Sequence, residues 1–187
     1  MSVLCLGSCE KWHDWRWQLR YRLRTREQFE ELIELTDAER QAFAEPRFAV
    51  GVTPYFASLM DPHDPTCPIR RQAVPLKDEL SDVGHTQRDP LNEDGLSPVP
   101  GIIHRYPDRV VLLVTETCHM YCRHCTRRRQ VGSVERGLSR SELQGALDYI
   151  AEHPNIRDVL VSGGDPLTFS NRQLDFILST VRAIPHV

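Results

Sequence analysis

Lysine is almost missing from this sequence. Of 23 basic side chains only Lys11 and Lys77 are lysines; the other 21 are arginines. Chemistry that needs a nucleophilic amine therefore has two positions to choose from. Long apolar runs are missing as well, and none approaches the ~20 residues of a membrane-spanning helix. The opening residues, Met1 to Glu10, hold a short apolar stretch with no basic residues ahead of it. That pattern predicts no secretory signal and a cytoplasmic protein. An excess of positive charge is also lacking. The net charge of −3 excludes a generally basic nucleic-acid surface but not a local basic site. Apolar residues make up 40% and charged residues 26%, which excludes a disordered chain. The 187 residues suffice to bury a core without disulfide staples.

Six cysteines are present: Cys5, Cys9, Cys67, Cys118, Cys122 and Cys125. The last three lie within eight residues, spaced C-x3-C-x2-C. Without an export signal, such a cluster points to metal binding or redox chemistry rather than disulfides. Cys5, Cys9 and Cys67 match no motif and read as ordinary thiols.

Three regions follow along the chain. Residues 1–45 read as a helical subdomain. Thr25 with Gln28, and Thr36 with Glu39, are capping boxes. Phe29, Leu32, Ile33 and Leu35 form an apolar stripe, and Trp12, Trp15 and Trp17 are packing anchors. Residues 46–107 hold ten of the thirteen prolines and predict an extended, wrapping segment. Residues 108–187 read as β-α-β-α. Val110 to Val114 is a continuous apolar run, expected to be a strand buried on both faces. Ser139 and Glu142 cap a helix that turns Leu143, Ala146, Leu147 and Ile150 inward. Asp158 to Val161 is a second strand. Ser170 and Gln173 cap a second helix, with Leu174, Ile177, Leu178 and Val181 expected to face inward. The alternation predicts an α/β fold with parallel strands. Two parallel strands do not make a stable sheet. The expectation is that a partner supplies the rest, or that this is the N-terminal part of a longer protein.

Cys118 comes three residues after the first strand, at the carboxyl end where ligands bind in open α/β sheets and barrels. Three thiolates can hold three corners of a cubane iron–sulfur cluster, leaving the fourth iron open. The amine and carboxylate of an amino acid could occupy that iron together. Structural zinc, with His119 or His124 as fourth ligand, is the competing reading. Ser162-Gly163-Gly164-Asp165-Pro166 follows the second strand and so faces the same end. Glycines there allow close approach of a ligand, although a plain turn fits equally well. From His104 to Arg140 eight arginines stand against Asp108, Glu116 and Glu135. Arginine pairs bidentately with carboxylate and phosphate. For Arg123, Arg128 and Arg129 a solvated or salt-bridged face reads equally well. The run Arg127 to Arg129 is too short to argue for nucleic acid.

The cysteine motif, with Tyr121 just ahead of its last pair, resembles the signature of the radical S-adenosylmethionine superfamily. Trp12-His-Asp-Trp-Arg-Trp-Gln18, Thr53-Pro-Tyr-Phe-Ala-Ser-Leu59, Ser97-Pro-Val-Pro-Gly101, His104-Arg-Tyr-Pro-Asp-Arg109 and Met120-Tyr-Cys-Arg-His-Cys-Thr-Arg-Arg-Arg129 resemble the lysine 2,3-aminomutase family. The resemblance covers nearly the whole chain. It implies an incomplete (β/α)6 partial barrel, about two β-α units of which are present in 108–187. It also implies an isomerase that uses a [4Fe-4S] cluster, S-adenosylmethionine and pyridoxal phosphate. A 5′-deoxyadenosyl radical would take a hydrogen atom from the amino acid. The amino group of L-lysine, held as an imine by pyridoxal phosphate, would then move between the 2- and 3-positions.

By the same resemblance Cys118, Cys122 and Cys125 hold the cluster, and Tyr121, Ser162, Gly163, Gly164 and Asp165 contact S-adenosylmethionine. Arg127 takes the substrate carboxylate, and Arg105 and Arg109 lie near the cofactor phosphate. Neither Lys11 nor Lys77 matches the family's Schiff-base lysine, so the chain alone is expected to be inactive. A small amino acid, a reductant such as flavodoxin or ferredoxin, and a homo-oligomeric full-length protein are the implied partners; nucleic acid and membrane are not. Glutamate 2,3-aminomutase, a relative that modifies a lysine of a translation factor, and a non-catalytic cluster- or zinc-binding fragment are the alternatives.

Overall fold

The computed structural model describes residues 10–45, 49–81, 87–132 and 134–187. Cys5 and Cys9 lie outside the described residues. The chain divides into two compact units, Met1–Thr86 with His119–Arg128, and Gln87–Cys118 with Arg129–Val187.

The first unit is built from short helices: α1 (Trp15–Arg20), α2 (Arg26–Glu30), α3 (Asp37–Phe43), α4 (Pro54–Ala57) and α5 (Pro68–Arg71). Thr25 and Thr36 both close the expected capping boxes, on Gln28 and Glu39. The proline-rich stretch is less extended than its composition suggests. Pro54 and Pro68 open α4 and α5, where a missing N–H costs nothing. Leu23, Phe29, Ile33, Leu35, Val52, Met60 and Val74 form one apolar core. Beside it lies a buried ion pair. Arg70 Nε donates to Glu39 Oε1 at 2.9 Å and Nη2 to Oε2 at 2.7 Å, with side chains 0% and 2% exposed. Arg70 Nη2 also donates to the Glu34 carbonyl at 2.6 Å, and Glu39 Oε2 accepts from the Thr36 backbone N–H and hydroxyl. The charges are buried at tolerable cost because each is hydrogen-bonded as well as paired.

The second unit is mixed α/β. Strands β1 (Ile102–Tyr106), β2 (Arg109–Thr115) and β3 (Asp158–Gly163) form a sheet in the order β1-β2-β3. β2 and β3 are parallel, with Val110 opposite Val159 and Leu112 opposite Val161. Helix α6 (Arg140–Glu152) makes the crossover and α7 (Asn171–Arg182) follows β3; both begin at the predicted capping boxes. Ile102, Val110, Leu112, Val114, Ala146, Leu147, Ile150, Ile156, Ile177 and Val181 share one core.

Three expectations are corrected. β1 pairs antiparallel with β2 through the tight turn at Pro107 and Asp108, so the sheet is mixed rather than all parallel. β2 is fully buried on one face only. Val110, Leu112 and Val114 pack into the core, whereas Val111 and Leu113 are half-buried. In α7, Ile177 and Val181 are buried but Leu178 is 52% exposed. β3 pairs only with β2 among the described residues, so α7 has a single strand edge to cover and turns one narrow face inward. No helix among the described residues is long and apolar enough to cross a membrane.

Candidate functional site

The cysteine motif starts where β2 stops. The apolar register that buries Val110, Leu112 and Val114 runs the chain out of the sheet after Thr115, three residues before Cys118. Thr115–Thr117 is held from both edges within its unit. On one edge the Gly164 N–H donates to the Thr115 carbonyl at 2.6 Å and the Asp165 N–H to the Thr117 carbonyl at 2.7 Å. On the other edge the Glu116 N–H donates to the Arg136 carbonyl at 2.8 Å, and Thr115 bridges Gly137. The Thr117 N–H also reaches the Thr115 hydroxyl at 3.1 Å. Cys118 is half-exposed at the end of this segment.

The predicted cofactor turn is thus a backbone neighbour of the predicted cluster loop. Ser162 is half-buried on β3 and pairs with Leu113. Gly163 takes φ 146°, and a Cβ there would run into the Thr115 carbonyl; at Gly164 it would run into the Thr117 carbonyl. Only glycine fits such close approach. Asp165 Oδ1 accepts from the Leu167 N–H at 3.0 Å and caps the short turn of helix Pro166–Thr168. A cavity of about 230 Å³ opens beside the turn. Thr115, Glu116, Arg136, Glu142, Gly163 and Gly164 are among its lining residues.

The rest of the motif, His119–Arg128, belongs to the other unit. Its backbone is pinned twice: the Tyr121 N–H donates to the Gly51 carbonyl at 2.9 Å and the Arg123 N–H to the Gln72 carbonyl at 2.7 Å. Tyr121 is buried, with its ring under the Arg22 guanidinium and its hydroxyl accepting from Arg22 Nη1 at 3.2 Å. A Cβ on Gly51 would press on that ring at 3.0 Å. Arg123 grips Glu79 with Nε and Nη2, the shortest contact being 2.8 Å, and its Nη1 donates to the Ala49 carbonyl at 3.2 Å. Cys122 and Cys125 are half-exposed free thiols. Burial, then the neighbouring Cys125, push the Cys122 thiol above its ordinary value. Among the described residues no three His, Cys, Asp or Glu side chains converge as a metal-holding group. Cys67, outside the motif, is buried; the Asp61 N–H pointing at its sulfur at 3.4 Å holds its pKa down.

Most of the local arginines are answered by carboxylates, many from outside the basic stretch. Glu79 meets Arg123 and, at 3.7 Å, Arg128. Arg129, 5% exposed, meets Asp89 at 3.2 Å and Asp94 at 2.9 Å. Arg136 meets Glu142 at 3.1 Å. For Arg123, Arg128 and Arg129 the salt-bridged reading holds. Arg127 is half-buried in the loop after Cys125. Arg105 and Arg109 lie on the sheet of the second unit. Arg109 opens β2 opposite Asp158, and Arg105 lies near the end of antiparallel β1. Both therefore stand at the end of the sheet away from Cys118, roughly 20 Å along the strand from Thr115 at ~3.3 Å per residue. Asp108 holds Arg109 with two contacts of 3.0 Å. Lys11 and Lys77 are both exposed, and neither follows a strand.

Sequence reasoning missed Glu79, Arg22, Gly51 and the segment Arg136–Leu138. The first three lie 44 to 99 residues from the loop positions they touch, and no local periodicity marks them. Glu79 Oε1 accepts from the Leu76 N–H at 3.0 Å, but leucine is not a capping residue, so no local pattern marked Glu79 either.

No family model matches the chain. Among curated proteins it is 48% identical to the L-lysine 2,3-aminomutase of Bacillus subtilis, covering 95% of this chain and 38% of that protein. It is also 48% identical to the L-lysine 2,3-aminomutase of Clostridium subterminale, covering 94% of this chain and 43% of the relative. Identity to the glutamate 2,3-aminomutase of Clostridioides difficile is 40%, over 97% and 43%. The chain spans about two fifths of the length of these relatives. On a match that runs through nearly all of its residues, cysteine loop included, the chain belongs to the lysine 2,3-aminomutase family.

Proposed function

We propose that this chain carries the cluster-binding part of an aminomutase, an isomerase that moves the amino group of L-lysine between its 2- and 3-positions. The observation that carries the proposal is the C-x3-C-x2-C loop. It begins past the carboxyl end of a parallel strand, in a chain 48% identical to lysine 2,3-aminomutases. Lysine is preferred to glutamate because four relatives named for lysine are 45–48% identical, whereas a relative named for glutamate is 40% identical.

The donors suit the group by their chemistry, although the three thiols do not converge in this structure. Thiolates are the ligands iron–sulfur clusters take, and three of them leave one iron for another ligand. Cys122 and Cys125 are free and half-exposed, and Cys118 is half-exposed at a strand end. We assign all three to a [4Fe-4S] cluster and the Ser162–Asp165 turn, with Tyr121, to S-adenosylmethionine. When bound, these groups supply a radical able to break a C–H bond of the substrate, with the electron coming from a donor such as flavodoxin or ferredoxin. This chain's own residues hold iron at Cys118, Cys122 and Cys125, line the neighbouring cavity, and offer Arg127 to the substrate carboxylate. Helices α6 and α7 with strands β2 and β3 are then the first two units of a (β/α)6 partial barrel. Among the described residues β3 pairs on one edge only, and Leu160, on the face opposite Val159 and Val161, is 64% exposed; both support that placement. The full-length protein is proposed to be a cytoplasmic homo-oligomer.

Pyridoxal phosphate does not fit the residues present. Arg109 is already held by Asp108 at the far end of the sheet, and neither lysine stands at a strand end. No step is assigned to that cofactor on this chain.

The test is anaerobic reconstitution with iron and sulfide of the wild-type chain, Cys122→Ala and Cys67→Ala. The proposal expects brown protein from the wild type and Cys67→Ala, and loss of iron from Cys122→Ala. Equal iron in all three, or a colourless wild type holding one zinc ion, contradicts it.

A further inference from the structure

We infer that Gly163 and Gly164 are positioning residues for Cys118, forming a backbone clasp on the segment that carries it. The geometry of the clasp stands by itself; its consequence for a cluster rests on the reading proposed above. A glycine pair after a strand is ordinarily explained by a ligand approaching the backbone. Here the space a side chain would need is filled by the protein. The Cβ direction at Gly163 points into the Thr115 carbonyl and that at Gly164 into the Thr117 carbonyl. Gly163 also holds a φ of 146°, which other residues rarely adopt. What this closeness secures is a pair of short hydrogen bonds, Gly164 N–H to Thr115 O at 2.6 Å and Asp165 N–H to Thr117 O at 2.7 Å. The second ends at the peptide that enters Cys118.

The opposite edge is held as firmly. Glu116 N–H donates to Arg136 O and Leu138 N–H to Val114 O. The segment is therefore bonded on both sides as far as Glu116, as an inner strand is, and on the glycine side as far as Thr117, the residue before the thiol. The clasp is itself braced, because Asp165 Oδ1 caps its own turn through the Leu167 N–H. A metal ligand must be placed to within about 0.5 Å to serve its site. Loops seldom give that precision, and a loop continued from a doubly bonded strand does. The glycine pair thus fixes the backbone leading into Cys118 before any ligand arrives.

The experiment is alkylation of the metal-free 187-residue chain with iodoacetamide, followed cysteine by cysteine by peptide mass spectrometry. It is run on the wild type and Gly164→Ala. The clasp predicts that Gly164→Ala labels Cys118 about tenfold faster, the equivalent of about 1.4 kcal/mol of lost hold. Cys122 and Cys125, which belong to the other unit, should keep their wild-type rates. An unchanged Cys118 rate, or equal acceleration of all three, overturns the inference. Circular dichroism reports whether the variant folds. Should it not, amide exchange on the wild type decides: slow Gly164 and Asp165 amides support the clasp, and exchange as fast as an exposed turn overturns it. Reconstitution separates the two readings. Selective Cys118 labelling in a chain whose wild type binds no iron sustains the clasp and removes only the cluster assignment. Iron bound by the wild type, with Cys118 labelling unchanged in Gly164→Ala, does the reverse.

Discussion

Replacing Glu79 by glutamine isolates the ion pair that holds the stretch between Cys122 and Cys125. The substitution keeps size and leaves a side-chain carbonyl to accept from the Leu76 N–H, which Glu79 Oε1 now does at 3.0 Å. It removes the charge that Arg123 grips through Nε and Nη2. The two side chains are 11% and 19% exposed. That places the pair between an exposed salt bridge at about 0–1 kcal/mol and a fully buried one whose disruption costs about 3–5 kcal/mol. A loss of about 2 kcal/mol is the expected figure for charge-assisted hydrogen bonds of this kind. In a local opening that is a factor of about thirty. The assay is exchange of the Arg123 amide, which donates to the Gln72 carbonyl, read with the alkylation rates of Cys122 and Cys125. Both should rise in Glu79→Gln, while buried Cys67 stays slow. Arg123→Lys should behave like Glu79→Gln, because an ammonium cannot reproduce the two-pronged contact. Wild-type exchange at Arg123 in both variants would refute the reasoning.

Other outcomes follow from the same structure. Arg70→Ala leaves Glu39 buried without its partner and should cost about 3–5 kcal/mol, seen as a melting temperature lowered by roughly 6–20 °C in a chain of this size. The double variant Arg70→Met with Glu39→Leu should recover most of that loss. Ile177→Ala should destabilise by about 2–5 kcal/mol, whereas Leu178→Ser on the exposed side of α7 should stay within about 0.5 kcal/mol in a urea titration. The Ser139 backbone N–H, the Ser139 hydroxyl and Arg136 lower the Glu142 pKa from 4.5 to about 2. A lowered carboxylate pKa stabilises the fold above the unfolded value, and that contribution fades as pH falls from about 4.5 to about 2. Glu142→Gln should therefore flatten the acid limb of the stability profile, more so at low salt.

How much was legible depends on the range of the interaction. Four capping boxes, the strand cores at Val110–Val114 and Asp158–Val161, and the place of Cys118 after a strand were all local patterns, and all are present. β1 was hidden because Ile102–Tyr106 is flanked by Pro100, Gly101 and Pro107, whose company reads as an irregular segment. The inward turn assigned to Leu178 failed because periodicity gives a stripe but not its width, and β3 offers α7 a single edge. The loop's supports were out of reach for a different reason. Glu79, Gly51 and Arg22 meet the motif by tertiary folding, with spacings no window of sequence covers. The carboxylate partners of Arg123, Arg128, Arg129 and Arg136 went unseen because Glu79, Asp89, Asp94 and Glu142 lie outside the window in which the charge was counted.

The central claim is a three-cysteine cluster with one iron open to S-adenosylmethionine. Electron paramagnetic resonance of the reconstituted, chemically reduced chain, with and without S-adenosylmethionine, tests it most directly. The account predicts a reduced cubane signal, about four irons and four sulfides per chain, and a change of that signal when S-adenosylmethionine is added. A signal indifferent to S-adenosylmethionine, or a chain that takes up zinc and shows no signal at all, would contradict it.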